Sequence, residues 1–325
     1  MHSFWQELKK PFFVMAPMAD VTDAAFRALV AARGAPDVFW TEFVSADGLY
    51  HTREIQKMPD DENPLMRDLI KGEGQRPIIA QIFSSKPEMI AYAVKLVAEL
   101  GFDGVDLNMG CPDRSIEKQG CGSAMIKTPE VARAVIRAAK AASSLPVSVK
   151  TRVGYNKESL DEWLPVLLEE APAVITLHLR TRKEMSLVPA NWEFMKKAVE
   201  IRNRVNPDVL LIGNGDVTSV EQGTRLVEES GCEGAMIGRG MFGNPWVFAG
   251  RKSDDTPFAE KLAALIELAH SFEKMTPPKN FSILKKHIKA FATGFDGAAH
   301  LRARLMEAES ADALEAIIAQ HNAGE

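Results

Sequence analysis

Gly104-Val105-Asp106-Leu107-Asn108-Met109-Gly110-Cys111-Pro112 is the stretch around which the chain is organised. An apolar run ends in Asn108, and three residues later a cysteine stands between Gly110 and Pro112. Glycine permits a tight turn, and proline fixes φ and removes a hydrogen-bond donor. The pattern predicts a buried strand that stops abruptly and presents an amide and a thiol. Cys111 is then either a small buried hydrophobic residue, which is the commoner role of a single cysteine, or a reactive group.

Seven further short apolar runs share this character. Each is continuous rather than alternating in hydrophobicity, which is typical of strands buried on both faces of a parallel sheet. They cover residues 12–16, 38–43, 78–83, 147–150, 174–178, 209–214 and 235–238. Helical patterns stand between the runs, at 23–32, 87–101, 130–142, 160–170, 192–205 and 217–230. This alternation predicts an α/β fold, a (β/α)8 TIM barrel that ends near residue 245.

Two local details belong to this barrel. Thr22 is expected to cap the first helix, because a threonine hydroxyl at that position can accept a hydrogen bond from a free backbone N–H. Residues 46–75 are polar and long, and we expect them to form an irregular insertion over one rim.

The pattern changes after residues 251–257, where no further strand runs appear. Four helical stretches follow, at 260–275, 281–293, 298–308 and 312–321. They predict a small all-helical bundle after the barrel. We therefore divide the chain into a catalytic barrel domain, 1–250, and a helical domain, 251–325.

Charge is distributed unevenly between these two parts. The whole chain carries a formal net charge of −5, which by itself disfavours a nucleic-acid partner. Between His270 and Arg304, however, seven Lys and Arg face two acids, Glu273 and Asp296, so the local charge is +5. Such a run is usually a solvated helix face. Its concentration in the helical part of an acidic protein favours an anionic partner instead.

Composition narrows the class of protein. The chain has three cysteines and no CxxC pair, which argues against a disulfide framework and against a zinc site. We expect no bound metal and a reducing, cytoplasmic location. No apolar run reaches the roughly 18 residues of a membrane span, so we expect no membrane partner. A monomer is the default expectation.

Polar residues follow most of the predicted strands, and the C-terminal strand ends carry the chemistry in a (β/α)8 barrel. A single polar residue at a strand end is more often structural than catalytic. The convergence of many strand ends indicates a binding site. In chain order these residues are Ala16-Pro17-Met18, Glu42, Gln81, Asn108 with Cys111, Lys150 with Arg152, and His178 with Arg180 and Arg182.

Strands seven and eight end in glycine-rich turns, Asn214-Gly215-Asp216 and Gly238-Arg239-Gly240. Glycines let backbone N–H groups approach an anion, and the loops after these two strands are the usual phosphate site of the barrel. Two ordinary turns are the alternative. A phosphate at this place suits FMN, whose ring would meet a second group of residues. Those residues, which face the barrel axis, are Gln81, Asn108, Lys150 and His178.

Several motifs follow one another along the chain: Met15 to Asp23, Thr41 to Ala46, Gln81 to Phe83, Asp106 to Pro112, Gly120 to Met125, Lys150 to Arg152, His178 to Arg182, Asn214 to Asp216 and Gly238 to Gly240. The Asn-x-Gly-Cys-Pro and Arg-Thr-Arg elements are specific in combination. Through these motifs the chain resembles the tRNA-dihydrouridine synthases over nearly its whole length. The helical C-terminal part resembles the tRNA-binding domain of that family.

The resemblance implies an NAD(P)H-dependent oxidoreductase. NADPH (or NADH) would reduce FMN, and hydride would pass from flavin N5 to C6 of a uracil in tRNA. Cys111 would donate the proton to C5 as a general acid. Asn108, Arg180 and Arg182 would contact the substrate. The implied flavin site consists of Ala16, Pro17, Met18, Gln81, Lys150, His178, Asn214, Gly215, Asp216, Gly238 and Arg239.

The chain departs from the family pattern in its sixth loop. Leu179 stands where a small residue is usual, and residues 185–189 replace the usual Tyr and Gly. These changes bear on the substrate side of the site rather than on the flavin side. Cys121, which stands where alanine is common, is interpreted as a buried filler.

Two rival functions can be stated. One is an FMN oxidoreductase of the dihydroorotate-dehydrogenase type that acts on a free pyrimidine. The Arg-Thr-Arg loop and the basic helices do not fit such an enzyme. The other is a tRNA-binding relative without catalysis, against which Asn108, Cys111, Lys150 and His178 argue.

Overall fold

Eight parallel strands form the centre of the computed structural model, which describes residues 3–295 and 297–323. The ordered sheet runs β1-β8-β7-β6-β5-β4-β3-β2, and a parallel bridge between Val14 and Val38 joins its two ends. The predicted (β/α)8 barrel is confirmed. The strands are β1 Phe12–Met15, β2 Phe39–Ser45, β3 Ile78–Phe83, β4 Gly104–Met109, β5 Val147–Arg152, β6 Val174–His178, β7 Leu210–Asn214 and β8 Gly234–Ile237.

Helices surround the barrel and follow it. Those of the barrel are α1 Ala24–Gly34, α2 Ala46–Tyr50, α3 Pro64–Arg67, α4 Pro87–Glu99, α5 Arg114–Glu117, α6 Pro129–Ala142, α7 Leu160–Glu169, α8 Glu193–Val205 and α9 Val220–Ser230. Those that follow are α10 Phe258–Glu273, α11 Lys285–Phe291, α12 Ala298–Leu305 and α13 Ala311–Asn322. No helix among the described residues is long and apolar enough to cross a membrane.

Each strand sends alternate side chains inward and outward, since successive side chains of a strand point to opposite faces. In β4, Val105, Leu107 and Met109 pack in the large core between sheet and helices. Asp106 and Asn108 therefore point into the barrel. A strand that looks apolar in sequence can therefore still place polar side chains at the barrel axis.

The barrel interior is apolar at one end and polar at the other. The inner apolar cluster contains Trp5, which packs against Phe12 and Trp40 with ring centroids 5.8 Å from each. These residues belong to the chain before β1 and to the first half of the strands. The N-terminal end of the barrel is consequently filled by apolar side chains of the described residues.

Two local expectations need correction. Asp23, not Thr22, caps α1, because its carboxylate accepts the Phe26 N–H at 3.0 Å, whereas the Thr22 hydroxyl lies 3.3 Å from the Met18 carbonyl. The segment 46–75 is not irregular throughout. It contains α2, a π-helix over His51–Ile55, and α3, which Asn63 caps by accepting the Leu65 N–H.

The four C-terminal helices pack against one another and against the barrel. α10 contacts both α1 and α13, and Arg33 of α1 pairs with Glu267 of α10 at 2.5 Å. The division of the chain at residues 250 and 251 stays a prediction.

Candidate active site

A cavity of about 590 Å³ opens at the C-terminal end of the barrel. Its volume lies within the range of small-molecule and cofactor sites. Every residue that the sequence singled out for cofactor, substrate or catalysis lines this cavity, except Arg182. Residues outside that set also line it: Phe43, Gly110, Pro112, Arg152, Ser186, Val217, Thr218, Met236 and Gly240.

A chain of hydrogen bonds runs from the barrel axis to the thiol loop. Asp106 accepts from Gln81 Nε2 at 2.6 Å, and Gln81 Oε1 accepts from Asn108 Nδ2 at 3.1 Å. Asn108 Oδ1 accepts from the N–H groups of Gly110 and Cys111 at 3.1 and 3.0 Å. Each amide orientation is fixed by the next group. One Asn108 N–H is left to donate to a ligand.

Asp106 starts this chain because it is a carboxylate buried inside the barrel. Burial raises its pKa to about 6, and hydrogen bonds from Ser148 and Gln81 limit the rise. At neutral pH it is therefore mostly ionised and able to accept from Gln81. Sequence reasoning did not select Asp106 for the site. A charged residue within an otherwise apolar strand was the available signal.

Cys111 sits in a tightly packed loop beside the cavity. Burial raises the pKa of its thiol above the ordinary value of 9.0, so the thiol keeps its proton at neutral pH. Its carbonyl accepts the Ser123 N–H at 2.9 Å. Gly122 adopts φ +60°, and a Cβ there would lie 2.6 Å from the Cys111 carbonyl. Cys121 is buried against Phe83, which agrees with a packing role.

Lys150, near the C-terminal end of β5, is the lysine that lines the cavity. Burial lowers its pKa to about 8, and the charge of Arg152 acts in the same direction. Its Nζ donates to Asn214 Oδ1 at 3.2 Å, while Asn214 Nδ2 donates to the Met236 carbonyl at 2.9 Å. At pH 7 the ammonium is mostly charged and can stabilise negative charge on a ligand.

His178 is a neutral imidazole. Burial, followed by the charges of Lys150 and Arg152, lowers its pKa well below 6.5. Its Nε2 lies 3.1 Å from Arg180 Nη1. Because arginine can only donate, Nε2 accepts and the ring proton is on Nδ1. The imidazole can therefore donate a hydrogen bond without adding a charge.

The glycine-rich turns form a basic corner of the cavity. Gly215 adopts φ +131° and Asp216 φ +54°. Asp216 accepts from Arg180 Nη2 and Arg239 Nη2, each at 2.5 Å. Two arginines and one carboxylate leave a net positive charge, and the Arg239 side chain is 61% exposed. The corner can hold an anion, with Asp216 orienting the two guanidinium groups.

Arg152 and Arg182 connect neighbouring loops. Arg152 donates from Nε to the Gly110 carbonyl at 2.8 Å and from Nη1 to the Thr181 and Met185 carbonyls at 3.0 and 2.8 Å. Arg182 pairs with Glu117 of α5, away from the cavity lining. The sequence marked the position of Arg152 at a strand end but did not reveal this linking role.

Glu42, which the sequence placed at a strand end, lies in the middle of β2 and contacts the helical part of the chain instead of lining the cavity. Lys279 donates to its Oε2 at 2.5 Å, and the Lys279 side chain is only 4% exposed. Lys279, one member of the basic run, thus forms an ion pair inside the protein. Arg302 donates to the Ala292 carbonyl, and Lys286 lies 3.3 Å from Asp20 in a surface pair that leaves its side chain 49% exposed. Asp296 lies outside the described residues.

A metal centre has no support in the part of the chain that the structure describes. No group of three or more His, Cys, Asp and Glu side chains is placed to hold a metal ion there.

Comparison with known proteins shows to which family the chain belongs. The model of the dihydrouridine synthase (Dus) family matches residues 14–323. The chain belongs to the dihydrouridine synthase family. A probable tRNA-dihydrouridine synthase 2 of Bacillus subtilis (strain 168) is 40% identical over 320 residues, covering 97% of this chain and 95% of the relative. A probable tRNA-dihydrouridine synthase of Staphylococcus aureus (strain COL) is 38% identical over 324 residues, covering 99% and 96%.

Two solved structures have a fold similar to that of this family member. A 2-naphthoyl-CoA reductase complex aligns with a TM-score of 0.52 at 8% identity over 73% of this chain and 49% of that one. Histamine dehydrogenase from Rhizobium sp. 4-9 aligns with a TM-score of 0.51 at 13% identity over 80% and 48%. This chain therefore matches about half the length of each. At these identities the similarity concerns the fold.

Proposed function

We propose that this protein reduces uridine in tRNA to 5,6-dihydrouridine, with FMN as its cofactor and NADPH (or NADH) as the reductant. Membership of the dihydrouridine synthase family over residues 14–323 supports the reaction. The observation that carries the proposal is the position of Cys111, which lines the same cavity as the basic corner and Lys150. The protein is expected to act in the cytoplasm as a monomer.

The donor set of the cavity fits FMN. The basic corner of Arg239, Gly215 and Gly238 would hold the phosphate, since it combines guanidinium donors with backbone that a ligand can approach closely. Lys150, Gln81 and the neutral His178 offer donors to a ring edge with a single positive charge among them. Ala16, Pro17 and Met18 also line the cavity, and Ala16 and Met18 lie next to Gly238. When bound, FMN supplies the hydride that reaches C6 of the uracil.

Cys111 would deliver the proton to C5 of the uracil. A general acid must carry its proton at the working pH, and burial ensures this for the thiol. The hydrogen bonds from Asn108 to the Gly110 and Cys111 N–H groups hold the loop that bears it. The free N–H of Asn108 would orient a uracil carbonyl. Lys150 would offset the negative charge that develops near the cavity floor.

tRNA would approach the cavity mouth and the helical part of the chain. Lys279 is buried against Glu42, whereas Lys274, Lys286 and Lys289 are the exposed members of the basic run. We expect tRNA binding to weaken as salt rises, because phosphate contacts release counterions. Binding isotherms at several salt concentrations, with the Lys274→Ala/Lys289→Ala variant, measure this contribution.

A direct experiment tests the proposed reaction. Purified protein, NADPH and tRNA isolated from a strain lacking dihydrouridine synthases are incubated, and the nucleosides are analysed by mass spectrometry. We expect a yellow protein that releases FMN and forms dihydrouridine, and mapping of the product identifies the uridine. A colourless protein that fails to bind added FMN would contradict the proposal. Oxidation of dihydroorotate without any product in tRNA would favour the free-pyrimidine alternative.

A further inference from the structure

An exposed apolar loop tip lies beside the cavity. We use this name, apolar tip, for Met185, Leu187 and Val188 in the loop after β6. Leu187 is 85% exposed, and the other two are 38% and 41% exposed. Ser186, within the same turn, lines the cavity, so the apolar tip stands at its mouth. Single exposed apolar residues are common on protein surfaces, but a contiguous group beside a binding site indicates a contact surface.

Buried arginines hold the backbone of the apolar tip. Arg152 donates to the Met185 carbonyl at 2.8 Å, and Arg180 donates from Nε to the Val188 carbonyl at 2.6 Å. The Leu187 N–H donates to the Glu184 carbonyl at 2.9 Å. The turn is thus fixed while its side chains remain in solvent. Packing within the protein does not account for such a fixed presentation of leucine.

The same hydrogen bonds relate the apolar tip to the thiol. Arg152 donates not only to Met185 but also to the Gly110 carbonyl, next to Cys111. One guanidinium therefore sets the position of both loops. Whatever the tip contacts is held in a defined relation to the base that reaches Cys111.

We propose that Leu187, flanked by Met185 and Val188, packs between the nucleobases next to the target uridine and occupies the place that this uridine leaves in the stack. The inference rests on the proposed function. A uridine must leave its stack to enter the cavity, and apolar side chains inserted between bases stabilise an opened step. Exposed cations near this rim, Arg114, Lys118 and Lys183, favour an RNA over a neutral protein surface.

The test compares Leu187→Ala with the wild-type protein on two RNAs. One is tRNA isolated from a strain lacking dihydrouridine synthases, and the other is a short single-stranded oligoribonucleotide with the mapped uridine. On folded tRNA we expect kcat/KM to fall about tenfold or more, since opening a stacked step costs a few kcal/mol. On the oligoribonucleotide we expect a change of less than about threefold, because little stacking is broken.

Controls separate this role from other effects. Leu187→Met should retain most of the activity, because it keeps an apolar side chain of similar length. Ile55→Ala removes a 60% exposed apolar side chain that does not line the cavity, and it should behave as wild type. Flavin content and NADPH oxidation without RNA should be unchanged in Leu187→Ala.

Two results would overturn the inference. The first is wild-type kcat/KM of Leu187→Ala on folded tRNA, and the second is an equal loss on both RNAs. A wild-type protein that makes no dihydrouridine at all would instead reject the proposed function, and this inference with it. Because that result involves no variant, the two failures are distinguishable.

Discussion

Cys111 combines two properties at the scale of a single residue. It lines the cavity, yet burial keeps its thiol protonated at neutral pH. A nucleophilic cysteine needs the opposite, a lowered pKa. The environment of this residue therefore suits an acid that gives a proton, and two predictions belong to it.

Cys111→Ala should retain bound flavin and lose turnover on tRNA. The substitution removes the proton for C5 but leaves the Asn108 contacts to the backbone, which do not involve the thiol. We expect at least about a hundredfold loss, within the usual contribution of general acid catalysis. Flavin absorbance and dihydrouridine formation measure the two quantities. Cys121→Ala serves as the control, and full activity of Cys111→Ala would exclude the thiol as the acid.

Alkylation of Cys111 by iodoacetamide should be slow at pH 7 and accelerate with pH. Only the thiolate reacts, and its fraction grows about tenfold for each pH unit below the pKa, which lies above 9.0. Peptide mass spectrometry after timed labelling at pH 7, 8 and 9 gives the rate, with glutathione as the reference thiol. Labelling at pH 7 faster than that of glutathione would contradict the raised pKa.

At the scale of elements, the end of β5 ties two loops together through Arg152. Burial lowers the pKa of Arg152 to about 10, so its guanidinium stays charged at neutral pH. Its three carbonyl acceptors belong to the loops after β4 and β6. The loops to which we assign substrate contacts are thereby held by the more rigid sheet.

Arg152→Met should separate these loops while the flavin residues on other strands remain. We expect turnover on tRNA to fall about tenfold or more, because misplacement of a catalytic group by about 1 Å can cost about a hundredfold. Arg152→Lys keeps the charge but not the fork, and its activity should be intermediate. Equal kcat in all three proteins, measured with saturating tRNA, would show that the loops hold their positions without the guanidinium.

At the scale of the whole molecule, a buried ion pair joins the barrel to the helices that follow it. Glu42 of β2 accepts from Lys279, whose Nζ also lies 3.4 Å from Asp68. The Asp20 N–H donates to the same Glu42 carboxylate. Burial raises the pKa of Glu42 to about 7 despite the charge of Lys279. The pair therefore links the rim of the cavity to the helical part of the chain.

Lys279→Met should destabilise the protein, because it leaves Glu42 buried without its cation. Removing one partner of a buried pair costs about 3–5 kcal/mol, and we expect the lower end because Glu42 can take up a proton. Urea unfolding at pH 7 and pH 8 measures the loss, which should be larger at pH 8. Lys289→Met, an exposed site in the same part of the chain, should change stability by less than about 0.5 kcal/mol. Glu42→Gln in the Lys279→Met background should recover part of the loss, and no recovery would argue against the pair.

The hydrophobic pattern and the residues at the predicted strand ends were enough to predict the barrel and most of the residues that line the cavity. Strands buried on both faces read as continuous apolar runs, and a parallel barrel brings all their C-terminal ends together. Residues as distant in sequence as Ala16 and Arg239 could therefore be assigned to one site from the strand pattern alone, and both line the cavity. The wrong details were local ones, such as Thr22 in place of Asp23 as the helix cap, where neighbouring polar residues compete for the same N–H.

The partner of each charged side chain, in contrast, could not be predicted without the three-dimensional structure. Arg182, predicted to contact the substrate, pairs with Glu117 outside the cavity, and Lys279, a member of the basic run, is buried against Glu42. Side-chain partners depend on distances of a few ångström between segments far apart in the chain, and periodicity carries no information on them. The exposure of Leu187 could not be predicted from the sequence for the same reason. It depends on the hydrogen bonds by which Arg152 and Arg180 hold the loop.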